Sequence, residues 1–98
     1  MRLVLFFLLL SFSLFTKSQN IENFYSNDGL VSDFITCIDT DNSGNIWIGT
    51  NNGVSYFDGI SFTNYNVSDG IIDNNILSIK CGANNEVYVG TNFGLSVY

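Results

Sequence analysis

Ninety-eight residues with three Lys or Arg, nine Asp or Glu and no His carry a net charge of −6 and leave room for one small domain. So few cations cannot neutralise a row of phosphates, which excludes nucleic acid and an anionic membrane surface as partners. The absence of His also removes the base that Cys37 or Cys81 would need to act as a nucleophile.

The chain starts with a positive pair, Met1-Arg2, followed by an apolar run from Leu3 to Phe15 broken only by Ser11 and Ser13. Thr16-Lys17-Ser18 then places small residues where a signal peptidase cuts, with Gln19 as the new N-terminus. Residues 1–18 thus read as a secretory signal peptide. The run is shorter than the roughly 18 residues that cross a bilayer, and no Cys near the cut would take a lipid. Loss of Arg2 and Lys17 moves the net charge from −6 to −8 and leaves Lys80 as the single cation. Export permits a disulfide, but Cys37 and Cys81 fall at different positions of the repeat below and read as buried free thiols.

An internal repeat organises the remainder. Asp28 laid over Asp69, a shift of 41 residues, brings Asp28 to Phe57 over Asp69 to Tyr98 without a gap. Identical pairs include Gly29/Gly70, Ile35/Ile76, Ile38/Ile79, Gly49/Gly90, Thr50/Thr91, Asn51/Asn92, Gly53/Gly94 and Ser55/Ser96. Trp47/Tyr88, Ile46/Val87, Ile48/Val89 and Val54/Leu95 preserve the apolar pattern. The division is a lone outer strand over 19–27, a first repeat over 28–68 and a truncated second repeat over 69–98.

Each full repeat reads as four strands: Ile35 to Asp39, Asn45 to Thr50, Val54 to Phe57 and Ser61 to Tyr65. Turn chemistry separates them at Asn42 to Gly44, Asn51 to Gly53 and Asp58-Gly59. The short spacing predicts an antiparallel meander. Ile46-Trp47-Ile48 lacks polar alternation, which predicts burial on both faces. No helical periodicity follows Phe15. Four short strands in about 40 residues describe a β-propeller blade, so the fold class is all-β. Glu22 to Ser26 reads as an outer strand completing another blade. Two blades cannot cover their own faces, so the chain reads as part of a longer protein whose further blades are its partners. The isolated chain is expected to expose apolar faces and aggregate.

Several motifs are weaker than they look. Asp39, Asp41, Ser43 and Gly44 imitate the start of a calcium-binding loop, but Thr50 stands where a bidentate Glu is required. This stretch reads as a β-turn. Asp41 to Trp47 also resembles the Asp-box of sialidases with one residue too many, and the mature chain has no Arg to hold a carboxylate. Asn66-Val67-Ser68 fits a glycosylation acceptor but reads as a loop. Trp47 and Tyr88 are of the kind that stacks on sugars, yet their central strands favour core packing. No residue is assigned as catalytic, metal-ligating or cofactor-binding, and no enzyme activity is expected of this chain.

Together these residues resemble the two-component regulator propeller repeat. The resemblance rests on Gly29-Leu30, the acidic-Gly turn Asp41 to Gly44, Trp47 to Thr50, Gly53-Val54 and Tyr56-Phe57. The second copy departs from it at Tyr88, in place of Trp, and at Asn84-Asn85, in place of Ser-Gly. The resemblance implies an extracytoplasmic sensor module of the kind found in hybrid histidine kinases of Bacteroidetes type and in related secreted proteins. It implies an oligosaccharide or other small ligand, with any kinase in domains outside this chain. The alternative is a structural or carbohydrate-binding propeller of a secreted protein with no signalling role.

Overall fold

The computed structural model describes residues 20–98. The leader expected over residues 1–18 lies outside the described residues. Among the described residues, seven strands form two antiparallel sheets in chain order. The first sheet is β1 (Ile35–Thr40), β2 (Ile46–Thr50), β3 (Gly53–Phe57) and β4 (Phe62–Tyr65). The second is β5 (Ile76–Cys81), β6 (Val87–Thr91) and β7 (Gly94–Val97). Every strand of the first repeat falls within one residue of its expected bounds. Beyond strands, the described residues hold only two short 3-10 turns, Ser26–Asp28 and Val67–Asp69.

Several bonds of the first repeat recur 41 residues on. β1 slips register between Ile35 and Cys37, and β5 slips between Ile76 and Ser78. Thr50 Oγ1 donates to the Gly53 carbonyl at 2.8 Å, and Thr91 Oγ1 donates to Gly94 at 3.0 Å. The Val31 N–H donates to Ser55 Oγ at 2.8 Å, and the Ile72 N–H donates to Ser96 Oγ at 3.2 Å. The β2–β3 and β6–β7 turns need Gly for a backbone reason: Gly53 and Gly94 lie at φ 112° and 142°, where L side chains are strained.

Glu22 to Ser26, expected to complete another blade, has no ladder partner among the described residues: residues 20–25 are unpaired, and Ser26–Asp28 closes as a 3-10 turn. A ladder forms only where a neighbour accepts the backbone bonds, and among the described residues no strand pairs with this segment. Phe24 packs instead on Phe57 and Phe62, with centroids 5.1 and 5.7 Å apart.

The two sheets meet face to face. Direct register partners share a face, so Cys37, Trp47, Val54, Tyr56 and Tyr65 line one side of the first sheet. Ile79, Val87 and Val89 lie on the opposed side of the second. The buried core is Trp47, Val54, Ile76, Ile79, Val87 and Val89. Trp47 is buried as expected, while Ile46 and Ile48 on the other face are only half-buried. Gly49 is small because a Cβ there would meet Cys37 Sγ and, at 2.7 Å, Ile76 Cγ2 of the second blade. Four bonds stitch the interface: Thr36 Oγ1 to the Ile76 carbonyl, the Gly53 N–H to Asn74, Asn42 Nδ2 to Ala83 and the Cys81 N–H to Asp39.

Candidate functional site

A meander sorts its loops to two ends. The segment before β1 and the β2–β3 turn share one end, and the β1–β2 and β3–β4 turns share the other. The two ends differ in chemistry.

At the β1–β2 end the polar groups are consumed by the turns themselves. Asp41 Oδ1 accepts the N–H groups of Ser43 and Asn45, each at 3.0 Å, and Oδ2 accepts the Trp47 indole N–H at 3.1 Å. Asp39 Oδ2 faces the Cys81 N–H at 2.8 Å, and its Oδ1 accepts from Thr40. The two carboxylates that imitated a calcium loop therefore serve different structural partners. Asp58 Oδ1 closes its own turn on Ile60 and Ser61. Each carboxyl is held below the usual aspartate value of 3.8. The Cys81 and Thr40 N–H groups do this for Asp39, and those of Ser61 and Ile60 do it for Asp58. At Asp41 burial pushes upward, and the Trp47 indole with the Asn45 and Ser43 N–H groups outweighs it.

The opposite end is open. A polar basin of about 710 Å³ lies between the segment before β1 and the β2–β3 turn, lined by Ser26, Val31, Ser32, Asp33, Phe34, Asn51 and Asn52. Its shape is fixed from within. Ser32 Oγ donates to Asn51 Oδ1 at 2.7 Å and accepts the Phe34 N–H at 3.1 Å. Asp33 Oδ1 accepts the Ser26 N–H at 2.6 Å, and the Asn51 N–H donates to the Phe34 carbonyl. The Phe34 ring itself is exposed. The second blade offers an exposed ring at the same end, Phe93 of the β6–β7 turn. Phe93 replaces Asn52 in the repeat, and Asn75 replaces Phe34, so each blade presents one aromatic ring from a different loop.

A second, apolar cavity of about 280 Å³ lies between the sheets, walled by Trp47, Val54, Tyr65, Ile71, Val89 and Tyr98. Trp47 sits 4.6 Å from Tyr56, 6.0 Å from Tyr65 and 5.7 Å from Tyr98, centroid to centroid. Trp47 is buried among these rings, so it packs between the blades. Tyr88, its repeat counterpart, is exposed on the outer face of the second sheet.

Cys37 and Cys81 are both half-buried free thiols. Burial, with Asp39 and Asp41 nearby, pushes the Cys81 thiol up, which makes it a poorer nucleophile. Sequence reasoning assigned no ligand-binding residue. The exposed rings at Phe34 and Phe93 were missed because each lies outside the repeat identities; two Phe residues beside turn residues were the available signal.

No curated protein matches the chain. Residues 29–52 match the family described as two component regulator propeller. Among solved structures, the chain is similar to the extracellular domain of a hybrid two component system protein from B. thetaiotaomicron, at 25% identity and a TM-score of 0.62. That match covers 80% of this chain and 13% of the other, so the chain spans a small part of that protein's length. Sequence and fold point the same way: residues 29–52 match the two component regulator propeller family, and the two sheets are similar in fold to the extracellular domain of a hybrid two component system protein.

Proposed function

We propose that this chain is a segment of an extracytoplasmic sensor propeller in two-component signalling, and that the loop end bearing Phe34 and Phe93 takes the ligand. One observation carries the reading. A two component regulator propeller match at residues 29–52 coincides with a fold similar to the extracellular domain of a hybrid two component system protein. The signal-peptide layout of residues 1–18 supports export. Signal output belongs to domains outside these 98 residues, and the chain itself performs no catalysis. Its partners are further blades of the same full-length protein, together with a neutral oligosaccharide or similar small ligand. Exposed aromatic rings suit the apolar face of a sugar, and Ser and Asn side chains suit its hydroxyls.

Thermal melting of the exported protein against a panel of neutral oligosaccharides tests this. A ligand that binds the folded state raises the midpoint with concentration. The expected result is such a shift, lost in Phe34→Ala or Phe93→Ala with the unliganded midpoint unchanged. Export without any shift across the panel would overturn sensing and leave a structural propeller of a secreted protein.

A further inference from the structure

Asp33 carries a charge that its own turn does not need. Asp33 Oδ1 accepts the Ser26 N–H at 2.6 Å, and one repeat on Asn74 Oδ1 accepts the Val67 N–H at 2.9 Å. The same bond closes the same segment, once with a carboxylate and once with a neutral amide. The fold therefore asks only for an acceptor oxygen at this position. What Asp33 has beyond Asn74 is a second acceptor oxygen and a negative charge.

Both of these are open to the polar basin. Asp33 is exposed and lines it, and every other residue of the basin wall is neutral. Its Oδ2 has only a long contact of 3.4 Å with Ser26 Oγ, which leaves lone pairs for a further donor. Ser32 Oγ and Asn51 Oδ1 are already bonded to each other. Asp33 Oδ2 is thus the strongest open acceptor in the basin, since bonds to an ionised oxygen exceed those to a neutral one. The charge also has no counterweight nearby. Lys80 is the one cation among the described residues, and it lies at the β5–β6 corner, at the opposite end of the sheets and in the field of Asp39.

Given the ligand end proposed above, we infer that Asp33 is a specificity-determining residue of that site. It selects saccharides whose hydroxyls donate to its carboxylate and turns away those that carry a uronate, a sulfate or another anionic group. A sugar hydroxyl gains a charge-assisted bond to Oδ2. An anionic group in the same place gives up its hydration and meets like charge, with no cation to receive it. Phe34, next in the chain and exposed in the same basin, supplies the apolar surface for the sugar ring.

Asp33→Asn in the exported protein tests it. The readout is thermal melting against neutral oligosaccharides and uronate-bearing oligosaccharides of matched linkage and length. The substitution keeps the acceptor that Asn74 provides one repeat on, so the unliganded midpoint should not move. The native protein is expected to shift with a neutral member of the panel and not with its uronate counterpart. Asp33→Asn is expected to bind the neutral member about ten-fold more weakly and to bind the uronate nearly as well as the neutral one. Asp58→Asn loses the same charge at the opposite end and should keep the native selectivity. Uronate binding by the native protein, an unchanged neutral-to-uronate ratio in Asp33→Asn, or an equal change in Asp58→Asn would each overturn the inference and leave the sensor reading standing. A lowered unliganded midpoint of Asp33→Asn would show that the fold needs the charge, and would overturn it as well. No shift with any member of the panel would overturn the sensor reading, and the role of Asp33 with it.

Discussion

The first three strands of each blade make the same ladders and the same Thr-to-Gly turn bond, yet equivalent residues differ sharply in burial. Val54 is 1% exposed and its counterpart Leu95 is 58% exposed. Ile38 is 63% exposed and its counterpart Ile79 is 9% exposed. The inversion runs in opposite senses on the two faces. The first blade buries its Trp47 face, and the second buries its Ile79 face. Local chemistry, repeated every 41 residues, therefore builds each sheet, while burial comes only from the neighbour. The stability of such a unit is a sum of what each blade holds within itself and what its contacts with neighbouring blades add.

Trp47 against Tyr88 should break this symmetry most strongly. Trp47→Ala removes a buried indole from among Tyr56, Tyr65 and Tyr98 and leaves Asp41 Oδ2 without its donor. Truncating such a side chain costs about 3–5 kcal/mol. Tyr88→Ala, at the same repeat position on an open face, should cost a small fraction of that. Urea midpoints of the two variants measure the difference; equal losses would show that the second face is covered as well as the first.

Gly49 and Gly90 sharpen the same comparison. A Cβ at Gly49 strikes Cys37 Sγ and Ile76 Cγ2, the latter fixed in the core. A Cβ at Gly90 meets the Ser78 hydroxyl, whose rotor can turn away. Gly49→Ala should therefore cost about 1–3 kcal/mol by overpacking, and Gly90→Ala much less. Thermal midpoints of the pair decide it.

Acid should act on the first blade before the second. Asp39 and Asp41 are replaced by Lys80 and Gly82 one repeat on, so the carboxylates with lowered pKa lie in the first blade. A depressed folded pKa contributes stability that is full above the ordinary 3.8 and is lost as pH falls through the lower folded value. Amide exchange in β1 and β2, and at the Cys81 N–H that Asp39 holds, should accelerate below pH 3.8 relative to β6 and the rest of β5. Asp41→Asn should flatten that dependence and leave neutral-pH exchange in β5 and β6 unchanged.

What the sequence showed of all this was the part that is periodic. Strand bounds, turns and the blade unit follow from Gly, Thr and apolar residues recurring at a fixed shift, because each is dictated within its own repeat. The pairing state of Glu22 to Ser26 was not legible, since a strand depends on an edge supplied from elsewhere. Nor was the role of Asp39, whose partner is the Cys81 N–H of the other blade, 42 residues away. The small size of Gly49 was visible as an identity, but its cause, Ile76 of the second blade, emerges only when the faces are brought together. Phe34 and Phe93 escaped notice because a candidate binding surface is where one blade departs from the next.

The smallest expected effect concerns the one turn where the repeats differ in backbone chemistry. Gly44 lies at φ 82° with nothing within 4 Å of the place a Cβ would take, and Asn85, its counterpart, lies at φ 65°. Both occupy the left-handed region, which Gly enters freely and Asn tolerates better than other side chains. Space is not limiting at Gly44, so any cost of substitution is purely one of backbone strain. Gly44→Asn should cost under about 1 kcal/mol, because the turn already accepts Asn one repeat later. Gly44→Val should cost more, since a β-branched residue enters that region with greater strain. Asn85→Gly should be within about 0.5 kcal/mol of the native chain, because relieved strain is offset by the freedom Gly gains when unfolded. Chemical denaturation of the three variants ranks them. If Gly44→Asn proved as costly as Gly44→Val, the two turns would not share a conformation, and the equivalence of the blades would end at their β1–β2 and β5–β6 corners.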